Sequence, residues 1–279
     1  MCDPHAARWD GVRVTRAGPG GRGARRPAVR GASSLPLVEL LTVLSPVFGA
    51  RTSVLVADDG ACVVVDAGAL VADAVAALVE ERGLAPQGVL VTHGHADHVW
   101  DAGPLARRLG VAVHVHARDA YRLADPFGTL GVLGGASHYP AGPLAQALAA
   151  VGADPAAFER PDDLRTFGTP RGAAPDDAGE RDEDVRLELG SIAVVARHAP
   201  GHTEGSTLYL VDGLAFTGDV LFAGTVGRTD LPGGDQAVMT RTLRDVVARL
   251  DPATQVVPGH GPTSEMRREL ATNPFLAAR

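Results

Sequence analysis

The sequence predicts an α/β protein: a four-layer αβ/βα sandwich in which two mixed β-sheets pack face to face and helices cover the outside. Three observations predict it. Short apolar runs rich in valine alternate with stretches whose apolar residues recur at helical spacing. These elements fall into two strand-rich halves separated by a weakly patterned middle. Several strands end in a small breaker residue followed at once by His or Asp, which gathers polar side chains at one edge of the sandwich. At 279 residues and 45% hydrophobic, the chain is long enough to bury a core of that kind.

Residues 1–34 stand apart, with arginines interleaved with Gly and Pro and no apolar period, and read as a disordered extension; residues 35–279 read as one catalytic domain. Within it, 37–44, 52–57 and 61–66 read as strands, the last two joined by a hairpin turn at Asp58-Asp59-Gly60. A helix follows over 70–81, ended by Gly83. Val89 to Val91 is a buried strand, 103–109 a helix and 111–115 a strand. Between about 118 and 184 the pattern weakens to one helix over 142–151 and an exposed polar loop over 170–184, with Phe127, His138 and Tyr139 either touching substrate or packing on the core. Strands resume at 185–189, 192–197, 206–211 and 214–217. A helix over 236–250, capped by Asp235, precedes a strand at 255–257.

The net charge of −7 and pI near 5.8 argue against a nucleic-acid partner, which needs a basic surface. No apolar stretch is long enough to span a bilayer, so a membrane partner is not expected. The two cysteines, Cys2 and Cys62, fit reduced thiols in a cytoplasmic protein.

The chemistry is concentrated in Thr92-His93-Gly94-His95-Ala96-Asp97-His98, directly after the strand at Val89 to Val91. In extended backbone, residues two apart point the same way, so His93 and His95 can share one cation. Asp97 and His98 fall on the next turn and face a neighbouring position, which suggests two ions. The His/Asp mixture suits a borderline divalent metal. More ligands are needed from elsewhere. His202 (in His198-Ala199-Pro200-Gly201-His202), Asp219 (after Thr217-Gly218) and His260 (after Pro258-Gly259) each stand where a strand meets a breaker.

Asp66, the 93–98 cluster, His202, Asp219 and His260 together resemble the five motifs of the metallo-β-lactamase superfamily, over roughly residues 35 to 275. The resemblance implies that His93, His95 and His202 bind one metal, that Asp97, His98 and His260 bind a second, and that Asp219 bridges them. Asp66 would be the structural Asp beside the ligands. It implies two divalent ions, zinc favoured, with iron or manganese as alternatives. A water shared by the ions would be ionised near neutral pH and attack a carbonyl carbon, with Asp97 orienting the nucleophile.

The stretch after Asp219, with Gly227-Arg228-Thr229-Asp230, resembles compact glyoxalase II-like hydrolases, so the expected substrate is a small-molecule thioester or a related acyl ester. Arg228 and Asp230 are expected to pair and steady the metal ligands. Arg228 stands where full-length glyoxalase II enzymes carry a Lys/Tyr-bearing segment, and only a short stretch follows His260, so glutathione is not the expected carrier. The alternative is a persulfide dioxygenase of the same fold, with a single iron held at the positions of His93, His202 and Asp219.

Overall fold

The computed structural model describes residues 10–13, 38–135, 138–171 and 182–276. Among these, seven strands form one sheet in chain order: β1 (Asp10–Arg13), β2 (Val38–Leu44), β3 (Arg51–Ala57), β4 (Ala61–Val65), β5 (Ala85–Leu90), β6 (Val113–His116) and β7 (Leu164–Phe167). The first four pair antiparallel, β2 to β4 through short connections; from β4 onward pairing is parallel. Helices α1 (Ala72–Glu81) and α3 (Ala102–Leu109) make the crossovers that parallel neighbours require, with the short α2 (Ala96–Val99) leading into α3. The second sheet comprises β8 (Val185–Leu189), β9 (Ile192–His198), β10 (Thr207–Val211), β11 (Leu214–Gly218), β14 (Gln255–Pro258) and β15 (Ser264–Glu265), in the order β15-β14-β11-β10-β9-β8. A separate ribbon pairs β12 (Leu221–Phe222) with β13 (Thr225–Val226).

Period-two alternation explains the layering. In β4, Val63 and Val65 point to the second sheet and pack with Leu55, Leu90, Val194, Tyr209 and Phe216. Cys62 and Val64 point the other way, against Val75 and Val79 of α1 and Leu105 of α3. Because both faces are covered, β4 reads as an unbroken apolar run. The outer face of the second sheet, Leu208, Ala215 and Val256, is covered by Met239 and Leu243 of α5 (Gln236–Asp245) and by Met266 of α6 (Met266–Thr272). Helix, sheet, sheet, helix is the expected sandwich.

Some expectations shift. The strand β1 lies within the segment read as irregular and pairs with β2 from Asp10↔Thr42 to Arg13↔Glu39; the remainder of 1–34, with Cys2, lies outside the described residues, as do 172–181 of the polar loop. The helix expected over 236–250 ends at Asp245 and tightens into a 3₁₀ turn at Val247–Arg249. Asp235 does cap it, accepting from the amides of Ala237 (2.8 Å) and Val238 (2.9 Å). The weakly patterned middle holds two 3₁₀ segments, Ala120–Ala124 and Gly128–Gly134, then α4 (Gly142–Ala150) and β7. Phe127 is buried there, edge-on to Trp100, with Leu144 and Leu148. Of its two companions, His138 pairs with Asp125 and Tyr139 is exposed. No helix among the described residues is long and apolar enough to cross a membrane.

Candidate metal centre

Five strands deliver the site residues at one edge. Asp66 follows β4, the 93–98 cluster follows β5, His202 follows β9, Asp219 follows β11 and His260 follows β14. The parallel pairing of β4 with β5 and of β11 with β14 sets their C-terminal ends side by side. Across the sheets, the Thr207 amide donates to the Thr92 carbonyl at 2.9 Å, which ties the His93 loop to the start of β10.

The structure brings together every residue expected to bind metal. One ligand atom from each of His93, His95 and His202 lies within 4.8 Å of the others, and the same holds for His93, His98 and Asp219 and for Asp97, His98 and His260. Asp219 spans the groups: Oδ1 is 3.4 Å from His98 Nε2, and Oδ2 is 3.7 Å from His202 Nε2 and 3.6 Å from His260 Nε2. Asp97 Oδ2 is 3.2 Å from His260 Nε2.

The outer hydrogen bonds decide what these rings present inward. The Arg228 carbonyl can only accept, so His202 carries its proton on Nδ1 (2.7 Å), leaving a lone pair on Nε2. The Phe48 carbonyl does the same for His260 Nδ1 (3.1 Å), and the Asp66 carboxylate for His98 Nδ1 (2.9 Å). Thr92 spends its hydroxyl proton on Asp66 Oδ2 (2.8 Å), so it accepts from His93 Nδ1 (3.2 Å). Ring nitrogens therefore meet at short range: His202 Nε2 is 3.2 Å from His93 Nε2, lone pair to lone pair, and 2.9 Å from His95 Nδ1, whose Nε2 is buried without a partner, while His98 Nε2 is 3.1 Å from His260 Nε2. With no proton between His202 and His93 that contact is repulsive, whereas a tetrahedral zinc bonded at roughly 2.0–2.1 Å to each nitrogen needs edges near this length. Asp219 Oδ1 is also buried without a hydrogen-bond partner. The residues fit divalent cations.

Electrostatics agree. Burial, then the neighbouring His98 and His202 rings, hold His93 well below its ordinary pKa; burial and His202 do the same for His95. Both stay neutral and ready to ligate. At His98, burial opposes charge, but the Asp97, Asp219 and Asp66 carboxylates outweigh it and raise the ring well above its ordinary value. Asp97 and Asp219 are lowered by the surrounding imidazoles despite burial. The carboxylates demand positive charge here.

Asp66 adopts φ 58°, a left-handed conformation that Asp tolerates better than most residues. It accepts from Thr92 N (2.8 Å), Thr92 Oγ1 and His98 Nδ1. Gly259 is required for another reason: a Cβ there would stand 2.4 Å from Asp219 Oδ1 and 2.6 Å from His98 Cε1.

One expectation needs correction. Arg228 and Asp230 do pair (2.6 and 2.8 Å), but at the surface. What reaches a metal-site residue is the Arg228 carbonyl, a main-chain group that a reading of side chains does not reveal. Sequence reasoning also missed a fourth cluster, His116, Asp182 and His198. It is closed on itself: His198 accepts from the Asp182 amide at Nδ1 (3.0 Å) and donates to the Glu204 carbonyl from Nε2 (2.8 Å), while His116 Nε2 meets Asp182 Oδ2 (2.9 Å). The His198 nitrogens are both occupied, so this cluster ties chain segments together.

A model of the metallo-β-lactamase superfamily matches residues 46–260, and the chain belongs to that superfamily, whose members bind divalent metals and are mostly hydrolytic enzymes. Among relatives, an uncharacterized protein of Mycobacterium tuberculosis is 34% identical over 222 residues, covering 77% of this chain and 86% of its own. The probable metallo-hydrolase YqgX of Bacillus subtilis is 30% identical (71% and 79%). The hydroxyacylglutathione hydrolase GloC of Haemophilus influenzae is 29% identical (72% and 81%). Among solved structures, the BLEG-1 B3 metallo-β-lactamase superposes with a TM-score of 0.65 at 27% identity (84% and 97%). TTHA1623, crystallised in a di-iron-bound form, gives 0.62 at 27% (84% and 99%). ETHE1 from Myxococcus xanthus gives 0.59 at 21% (84% and 83%), a likeness of fold.

Proposed function

We propose that this protein is a metal-dependent hydrolase of a small-molecule thioester or related acyl ester, using two divalent ions, zinc favoured. The observation that carries the reading is the convergence of ring nitrogens and carboxylate oxygens into two groups, with Asp219 reaching both. His93, His95 and His202 would hold one ion, Asp97, His98 and His260 the other, and Asp219 both. Ions held there would bring the pKa of a coordinated water towards neutrality and polarise a carbonyl oxygen. The chain's own contribution is orientation. Asp66 fixes the His98 tautomer, the Arg228 and Phe48 carbonyls fix His202 and His260, and Asp97, held ionised, would accept a hydrogen bond from the attacking water and so orient its oxygen. A thiolate leaves readily without a protonating side chain, which suits a site whose buried carboxylates are held ionised.

The resemblance to hydroxyacylglutathione hydrolases supports a thioester. The thiol is left open in this reading, because Arg228 stands where full-length glyoxalase II enzymes carry a Lys/Tyr-bearing segment. The alternative, a mononuclear iron persulfide dioxygenase, needs only His93, His202 and Asp219 and leaves Asp97 and His260 without a task.

One set of measurements tests both readings on the same purified sample: metal content by mass spectrometry, hydrolysis of a panel of glutathione and non-glutathione thioesters, and oxygen uptake with a persulfide. The proposal expects about two zinc per chain with thioester cleavage. One iron with persulfide-dependent oxygen consumption would overturn it in favour of the alternative. Asp219→Ala is expected to lower hydrolysis by about 100-fold or more, and turnover near that of the parent would refute its assignment.

A further inference from the structure

We propose that Asp119 is a positioning residue that sets the spacing of His93, His95 and His202 from behind, with Arg122 as its brace. This rests on the reading that those three imidazoles hold an ion.

Asp119 follows β6, is fully buried, and touches none of the three rings by hydrogen bond. Its carboxylate instead grips the residues beside them, by main-chain amides and one hydroxyl. Oδ2 accepts from the amide of Gly94, the residue between His93 and His95, at 2.8 Å, and from Thr203 Oγ1, next to His202, at 2.7 Å. Oδ1 accepts from the Gly205 amide at 2.9 Å and from Arg122 Nε at 3.2 Å. One carboxylate thus joins the loop after β5 to the loop after β9, two segments that come from different sheets.

The approach is close. A Cβ on Gly94 would stand 2.7 Å from Arg122 Cβ, and one on Gly205 would stand 2.7 Å from Asp119 Cβ and Cγ. Arg122 is itself fully buried, and every guanidinium nitrogen donates: besides Nε, Nη1 bonds to the Thr129 carbonyl (3.2 Å), and Nη2 to Glu204 Oε2 (2.5 Å) and the Pro232 carbonyl (2.8 Å). Pro232 ends the segment whose Arg228 carbonyl orients His202, so the brace reaches the second support of that ring as well. A buried ion pair contributes little net stability compared with apolar packing of the same volume. The strict use of this one to hold two ligand loops points to geometry as its task.

Asn at 119 keeps the shape but not the bonds. Its amide nitrogen, itself a donor, has to face either the Gly94 amide with the Thr203 hydroxyl or the Gly205 amide with the Arg122 guanidinium, and those groups are donors in this arrangement. One orientation releases the loop after β5 and the Thr203 hydroxyl; the other keeps both of those but gives up the Gly205 amide and the Arg122 brace.

The test is the affinity of the metal-free full chain for Zn(II), read by competition with a chromophoric chelator, together with the unfolding midpoint of the metal-free protein. Asp119→Asn is expected to bind the first ion about 10- to 100-fold more weakly than the parent. Thr203→Val, which removes one of the four bonds, is expected to weaken it in the same direction, and Thr203→Ser, which keeps the hydroxyl, to match the parent. If Asp119→Asn does not fold, the Thr203 pair decides. Equal affinity of the parent and Asp119→Asn, or of Thr203→Val and Thr203→Ser, overturns the proposal. So does a loss that Thr203→Ser shares. A parent that takes up no ion defeats the metal reading itself, a different failure.

Discussion

At the scale of single residues, the site is governed by which nitrogen of each imidazole carries the proton. Asp66 makes the point. Replacing it with Asn keeps a residue that tolerates φ 58°, but an amide nitrogen at the Oδ2 position would face His98 Nδ1 with a donor. His98 would then turn its proton to Nε2 and aim it at the position where an ion is needed. Asp66→Asn is expected to weaken binding of the second ion by about 10- to 100-fold, measured by chelator competition, with the first ion little affected. The fourth cluster carries a pH effect of definite sign. Burial, then the His116 ring stacked 4.1 Å away, lower the His198 pKa from 6.5 to about 4. The folded chain therefore disfavours the proton that the unfolded chain accepts. This contribution is intact above pH 6.5 and is lost as pH falls towards about 4. Urea unfolding of the metal-free protein between those limits is expected to show a shallower pH slope for His198→Gln than for the parent; identical slopes would contradict the assignment.

At the scale of elements, much of the site was legible because each expected ligand closes a strand beside a small or turn-forming residue. A buried strand shows as an apolar run, and Gly or Pro shows where it stops, so His202, Asp219 and His260 announced themselves from far apart in the chain. Asp119 did not, because two of its four partners are main-chain amides 25 and 86 residues away, which no pattern in side-chain identity marks, and a third is a hydroxyl 84 residues away. The strand β7 was missed for a related reason: its four residues are only half-buried or exposed, so it lacks the run that revealed β4. Helix α5 shows the opposite case, a cap readable from one residue. Asp235→Ala is expected to cost about 1 kcal/mol in the unfolding free energy, and a change below about 0.3 kcal/mol would mean that solvent replaces the cap.

At the scale of the whole molecule, two sheets with different connectivity meet through one apolar layer, and the metal-site residues sit where both present strand ends. That layer has to be rigid for nitrogens on separate sheets to stay near 3 Å apart. Phe216, at its centre and two residues before Gly218, links packing to the site. Phe216→Ala is expected to lower the unfolding free energy by about 3–5 kcal/mol and to weaken metal binding, since Asp219 rides on the end of the same strand; a loss of stability with metal affinity unchanged would show that the strand end is held independently. The central claim, that five strand ends converge to hold two divalent ions, is tested most directly by anomalous diffraction from crystals grown with zinc. The account predicts two peaks roughly 3.5–4 Å apart, one among His93, His95 and His202 and the other among Asp97, His98 and His260, with Asp219 reaching both. Absence of any peak, or a single peak with the imidazoles of the other trio turned away, would contradict it.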